Sequence, residues 1–170
     1  MLPTQQILEK LTFLRAHDTL FRLFGSDPKH GWGHAYQLEP VVPESEVLAF
    51  EQAVGLRLPE DFRTFIVQVC NGGPGPGYGL MGLPSKYNDD FLNELRRPFD
   101  PSSGEMTGCL TLFNHGCGVY EYLVVNSDQH ARGQIVGDNG YGDLFWCGPF
   151  LEYYMDWLDG SIAEISHCEE

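Results

Sequence analysis

Residues 109–158 read CLTLFNHGCGVYEYLVVNSDQHARGQIVGDNGYGDLFWCGPFLEYYMDWL, and the fold turns on this stretch. Four short segments, 109–113, 120–126, 134–138 and 144–147, are rich in β-branched, aromatic and other apolar residues, with Gly, Asn, Asp and Ser between them. That is the pattern of short strands. Connections this short allow antiparallel pairing and exclude parallel crossovers. Pro149 then opens a helix in which Phe150, Leu151, Tyr154, Trp157 and Leu158 share one face and Asp159-Gly160 form the stop. Tyr153 falls at the edge of that stripe, as a surface contact.

Working back toward the N-terminus, the pattern becomes helical. Residues 58–73, LPEDFRTFIVQVCNGG, place Pro59 in a first turn, where its missing N–H needs no partner. Glu60 and Asp61 follow and complement the positive end of the helix dipole. Phe62, Phe65, Ile66 and Val69 recur at i, i+3, i+4 and i+7, one apolar stripe. Asn71, Gly72 and Gly73 end a helix predicted over 58–71. Upstream, Ser45 is an N-cap for a stripe of Val47, Phe50 and Val54 that Gly55 ends. The two helices, so close in sequence, are expected to pack as neighbours. Ile7, Leu8, Leu11 and Leu14 mark a first helix from Thr4. It either runs to Phe24 or breaks near Asp18-Thr19 and restarts with Leu20, Phe21, Leu23 and Phe24. Breakers crowd residues 25–43; residues 72–79 read as a flexible Gly/Pro connector, 80–83 as a short strand, and 90–96 as a helical turn in a long loop. The whole reads as one α+β domain over 1–170: an antiparallel sheet with N-terminal helices and a C-terminal helix packed against one face.

Composition bounds the function. The 170 residues are 42% hydrophobic and 20% charged, the balance of a globular domain. No run approaches the roughly 18 apolar residues of a membrane span, and MLPTQQILEK lacks the basic flank and apolar core of a secretory signal. Cytoplasmic residence is the expectation. Cys70, Cys109, Cys117, Cys147 and Cys168 are odd in number and form no CxxC; reduced, mostly buried thiols are expected, with room for one disulfide.

The formal net charge is −14, unevenly spread. Residues 1–97 hold nine Lys/Arg against 12 Asp/Glu; residues 98–170 hold Arg132 alone against 12. Such a surface repels nucleic acid and anionic membrane and attracts a basic partner.

Chemistry-bearing motifs are few. GGPGPGYG at 72–79 follows a helix and lacks the strand before and helix after that a phosphate loop needs. Asp27, His30 and His34, or His115 with Cys117, lack the paired spacing of zinc ligands. Cys117 with His115 and an acid such as Asp138 is the best case for a thiol enzyme, yet no oxyanion-hole motif accompanies it. No catalytic residue, metal or cofactor is assigned.

The order Phe50-Glu51, Gly55, Leu58-Pro59-Glu60-Asp61-Phe62, Phe65, Asn71-Gly72-Gly73 resembles the signature of the SUKH superfamily, the Smi–Knr type. Asn114-His115-Gly116-Cys117-Gly118, Leu123-Val124-Val125-Asn126, Gly133-Gln134-Ile135-Val136, Asp138 and Phe150 through Trp157-Leu158 resemble its ending. The likeness covers about residues 44–160 and leaves 1–43 as a helical N-terminal extension. It implies an α+β domain without a recognised active site. Many bacterial members are immunity proteins bound to a toxin, often a nuclease; others are regulatory interaction modules. Pro59, Gly72, Gly116, Gly118 and Trp157 carry over as residues that shape and pack the domain. The resemblance and the charge together predict a cytoplasmic protein that neutralises a cognate basic toxin, with no direct nucleic-acid or membrane contact. Asp89, Asp90, Glu94, Glu105, Asp128, Asp138 and Asp143 are the expected binding acids, and Tyr78, Tyr87 and Tyr141 the expected aromatic anchors.

Overall fold

A computed structural model describes residues 2–128, 130–139 and 143–167 (of His30, the backbone alone). Helix α1 spans Thr4–His17, α2 Glu44–Val54, α3 Glu60–Gln68, α4 Asp89–Arg96 and α5 Phe150–His167. Strands β1 Cys109–Gly116, β2 Val119–Val124, β3 Gln134–Asp138 and β4 Leu144–Pro149 form one antiparallel sheet in the order β1-β2-β3-β4. A single 3-10 turn, Pro28–His30, lies between α1 and α2. The α+β architecture expected from the sequence is the one observed.

The sheet sorts its residues onto two faces. Glu121 and Gly137 pair in register, and Phe145 follows across β4. Tyr122, Val136 and Trp146 align on the opposite face, as do Tyr120, Asp138 and Leu144 one pair along. The helices cover the first face. There Leu110, Leu112, Phe113, Leu123 and Ile135 meet Phe62, Phe65, Ile66, Phe150, Tyr154 and Leu158 in the main core. Phe150 stands edge-on to both Phe62 and Phe65, with ring centroids 5.3 Å apart in each case. Each such side chain, fully buried, contributes about 1.5–3 kcal/mol. Helix α1 packs on α5, and its Ile7, Leu11 and Leu14 join this core. The other face carries only a small cluster, Phe99, Val124 and Val136, under the loop that precedes β1.

Several boundaries differ from the sequence reading, each for a physical reason. Helix α1 breaks at Asp18, and no helix restarts. The buried Asp18 carboxylate accepts from the backbone N–H groups of Arg22 (2.6 Å) and Leu23 (3.3 Å), from Ser26 Oγ (3.2 Å) and from the Tyr36 hydroxyl (2.6 Å). A side chain offering that many acceptor bonds competes with a helix for the same donors. The N-cap of α2 is Pro43, with Ser45 inside the first turn. Pro59 is the N-cap of α3, whose C-cap is Val69. Residues 80–83 form no strand; Leu80 makes isolated bridges to Gly73 and Phe113. The glycine-rich connector is packed rather than free: Pro74 to Gly77 are buried, and Pro74 O accepts from the Tyr154 hydroxyl at 2.8 Å. Helix α5 runs through Asp159-Gly160 because Ser161 and Ile165 beyond it are buried. That burial outweighs the roughly 1 kcal/mol that a helical Gly costs.

Candidate interaction surface

The residues that invited a catalytic reading are dispersed. Cys117 is exposed at the tip of the β1–β2 hairpin, with φ +53°. The carboxylate that His115 meets is Glu121: Nε2 stands 2.9 Å from Oε2, out of line for a directed hydrogen bond. Asp138 lies on the other face of the sheet. Glu121 is 4% exposed, and both of its oxygens lie 2.8 Å from the Tyr153 hydroxyl. Tyr153 therefore makes an internal contact, not the surface contact expected of it. Cys147 Sγ is 3.8 Å from Glu121 Oε1; burial and then that carboxylate push its thiol up to about 12. Burial alone raises Cys109 to about 12 and is the main cause that raises Cys70 to about 11. These thiols stay protonated and weakly nucleophilic. Cys70, Cys109, Cys117 and Cys147 are free, and Cys168 lies outside the described residues. Among the described residues, no group of three His, Cys, Asp or Glu is gathered as a metal site. Among the described residues, no helix is long and apolar enough to cross a membrane.

The acids expected at an interface occupy several places. Asp89 and Asp90 are exposed in the first turn of α4, beside the N-cap Asn88. Glu94 and Glu105 are both held by Arg97, so these charges are partly met within the chain. Asp138 stands between Tyr120 and Leu144 in the sheet. Asp143 closes the β3–β4 turn, its N–H donating to Asn139 Oδ1 at 3.2 Å. Asp128 begins a loop in which its Oδ1 accepts from the N–H groups of His130 (3.0 Å) and Ala131 (3.1 Å). Of the aromatics, Tyr78 packs on Phe24, Tyr87 packs edge-on to Phe50, and Tyr141 lies outside the described residues.

Arg132 is the only Lys or Arg after residue 97, and its exposed guanidinium is anchored on two backbone carbonyls. Its Nε donates to Val125 O at 3.1 Å and its Nη2 to Arg57 O. Arg132 contributes one positive charge against the 12 acids of residues 98–170.

Two grooves present apolar side chains to solvent. One, of about 970 Å³, lies beside the sheet face that the helices leave open, with Phe99, Asp100, Asp128, His130 and Trp146 among its walls. Trp146 is 49% exposed and meets Phe99 edge-on at 6.0 Å. The other, of about 790 Å³, runs between residues 32–46 and 71–85 and exposes Trp32, Val41 and Met81 near Glu39 and Glu46. Sequence reasoning assigned Asp128 and Tyr78 but missed Phe99, Asp100, Trp146, Trp32 and Met81. The run Leu144-Phe145-Trp146 was a signal: three apolar residues in succession on a short strand cannot all be buried on one face.

Comparison with known families decides what kind of domain this is. The sequence model of the SMI1/KNR4 family (SUKH-1) matches residues 42–157, well over half of the chain. The chain belongs to the SMI1/KNR4 family. No curated protein and no solved structure shows a significant likeness to it. The match begins two residues before α2 and ends within α5, leaving α1 outside. Three of the residues that carried the SMI1/KNR4 resemblance, Glu51, Asn71 and Gly73, have structural roles. Glu51 Oε1 accepts from Leu58 N–H (2.8 Å) and from Arg63 Nε (3.2 Å), tying α2 to α3. Asn71 bridges to Leu83 twice, Nδ2 to the carbonyl at 2.9 Å and Oδ1 from the N–H at 2.8 Å. Gly73 has φ +110°, and a Cβ there would lie 2.1 Å from Gln37 O; only glycine fits so close a backbone approach.

Proposed function

We propose that this chain is a non-catalytic binding protein of the immunity type, which captures and neutralises a cognate basic protein toxin in the cytoplasm. Membership of the SMI1/KNR4 family over residues 42–157 carries this reading, since members are commonly immunity proteins of polymorphic toxin systems. Charge supports a basic partner: a net −14, with Arg132 the one Lys or Arg against 12 acids over residues 98–170. An immunity protein has to reach its toxin quickly, and opposite charge raises association rates more than final affinity. Asp89, Asp90, Asp128, Asp138 and Asp143 are the acids proposed to steer, with Glu94 and Glu105 contributing less because Arg97 is paired to both. Tyr78 and Tyr87 remain proposed aromatic contacts. The protein binds neither nucleic acid nor membrane directly.

Co-expression with the product of an adjacent toxin-like reading frame tests the reading. The expected result is a stable complex recovered by pull-down and rescue of growth in cells that make the toxin. Capture of a non-toxin regulatory partner, without protection, would instead make the chain a regulatory module of the same family.

A further inference from the structure

The groove beside the open face of the sheet has a chemistry that the family assignment does not supply. Its aromatic wall is Trp146, half exposed on β4, backed by Phe99. Two carboxylates, Asp100 and Asp128, line it from two different loops. Asp100 Oδ1 accepts from Ser102 N–H (2.9 Å) and Oγ (2.7 Å), which holds its carboxyl below the usual range and so ionised. Asp128 Oδ1 accepts from the N–H groups of His130 and Ala131, which fixes its position. The loops are stitched together: Phe99 N–H donates to Asn126 O at 2.8 Å, and Asn126 Nδ2 donates to Arg96 O at 2.8 Å at the end of α4. The walls are therefore positioned before any partner arrives, which lowers the ordering cost of binding. Among the described residues, no Lys or Arg lines the groove and neither carboxylate is ion-paired.

We propose that this groove receives an arginine side chain from a basic partner protein, its guanidinium stacked on Trp146 and bridged by Asp100 and Asp128. A planar guanidinium can lie against an indole and present its edge N–H groups to carboxylates at the same time. An ammonium group stacks less well and is more strongly hydrated, so arginine is favoured over lysine. The proposal rests on the binding-protein reading and narrows it: of the acids on this surface, Asp100 and Asp128 make contact, while the others act at long range.

The test is an NMR titration of the 15N-labelled full chain with a ten-residue peptide carrying three arginines, beside lysine and citrulline versions. The groove account expects shifts centred on the Trp146 indole N–H and the amides of 99–100, 128, 130–131 and 146–148. It expects at least threefold weaker binding of the lysine peptide and loss of binding with citrulline. Asp100→Asn/Asp128→Asn and Trp146→Ala are each expected to weaken the arginine peptide at least fivefold. Both replace exposed side chains, and an unchanged far-UV spectrum and melting temperature confirm folding. Shifts spread evenly over all acidic surfaces, shifts centred on the Trp32–Met81 groove, or variants that bind as tightly as wild type would each overturn the assignment. A second arm separates this proposal from the reading beneath it. A toxin neutralised equally by wild type and by the Trp146→Ala protein removes the groove and keeps the immunity function; a peptide that fills the groove when no adjacent toxin is bound does the reverse.

Discussion

The Tyr153 hydroxyl on α5 lies 2.8 Å from both oxygens of Glu121 on β2, a carboxylate that His115 and Cys147 also approach. Phe113 meets the same tyrosine ring at 5.8 Å, so the ring is packed whether or not the hydroxyl is present. Tyr153→Phe thus removes one donor and leaves the packing. Losing the partner of a buried carboxylate costs roughly 1–3 kcal/mol. Urea denaturation of Tyr153→Phe is expected to show that loss, with an unchanged m-value. Adding Glu121→Gln is expected to recover part of it, because an amide is less costly to leave unpaired than a charge. Equal stability of wild type and Tyr153→Phe would mean that the contact contributes nothing net.

His34 gives a pH dependence with a definite sign. It is 8% exposed; Nδ1 accepts from Tyr36 N–H at 3.1 Å, and Nε2 is buried without a hydrogen-bond partner. Burial lowers its pKa from 6.5 to about 4, against a smaller opposing pull from Asp18. The unfolded chain therefore binds this proton more readily than the folded one. Its effect on stability is nil above about pH 6.5, and stability is lost as pH falls from there to about 4, by up to about 3 kcal/mol. Chemical denaturation at pH 7.5, 5.5 and 4.5 reads the slope. His34→Gln is expected to flatten it relative to wild type; the same slope in both proteins would assign the pH effect to other groups.

Arg63 is 9% exposed and pairs with Glu51 and Glu44, linking α3 to α2. Arg63→Met leaves the Glu51 carboxylate, itself largely buried, without its cation. Breaking such a pair costs on the order of 3–5 kcal/mol. In Arg63→Met with Glu51→Gln no buried charge is left, so the double variant is expected to lose clearly less than the two single losses added together. Additive losses would show the pair to be uncoupled.

The strands were legible because each is short, apolar and bounded by turn residues, and α2 and α3 because their stripes recur at helical spacing. Asn71-Gly72-Gly73 was readable as an ending but not as the site where residues 37–39, 72–73 and 80 pass one another. What the sequence hid depends on distant partners. Asp18 and Glu121 look like surface acids until Tyr36 and Tyr153 arrive beside them. Helix α5 outruns its Asp159-Gly160 stop only because Ile165 finds the core. The charge asymmetry was plain in the sequence, but the pairing of Glu94 and Glu105 with Arg97, and the meeting of Trp146 with Phe99, are made by the tertiary fold.

The most direct test of the central claim is the association rate with the adjacent toxin, measured by stopped flow between 20 and 300 mM salt. Steering by an acidic surface predicts a rate that falls at least tenfold across that range. In a variant with Asp89, Asp90, Asp128, Asp138 and Asp143 changed to Asn, it predicts a slower rate at low salt and a flatter dependence. A rate that ignores salt in the wild type, and is the same in the variant, would contradict it.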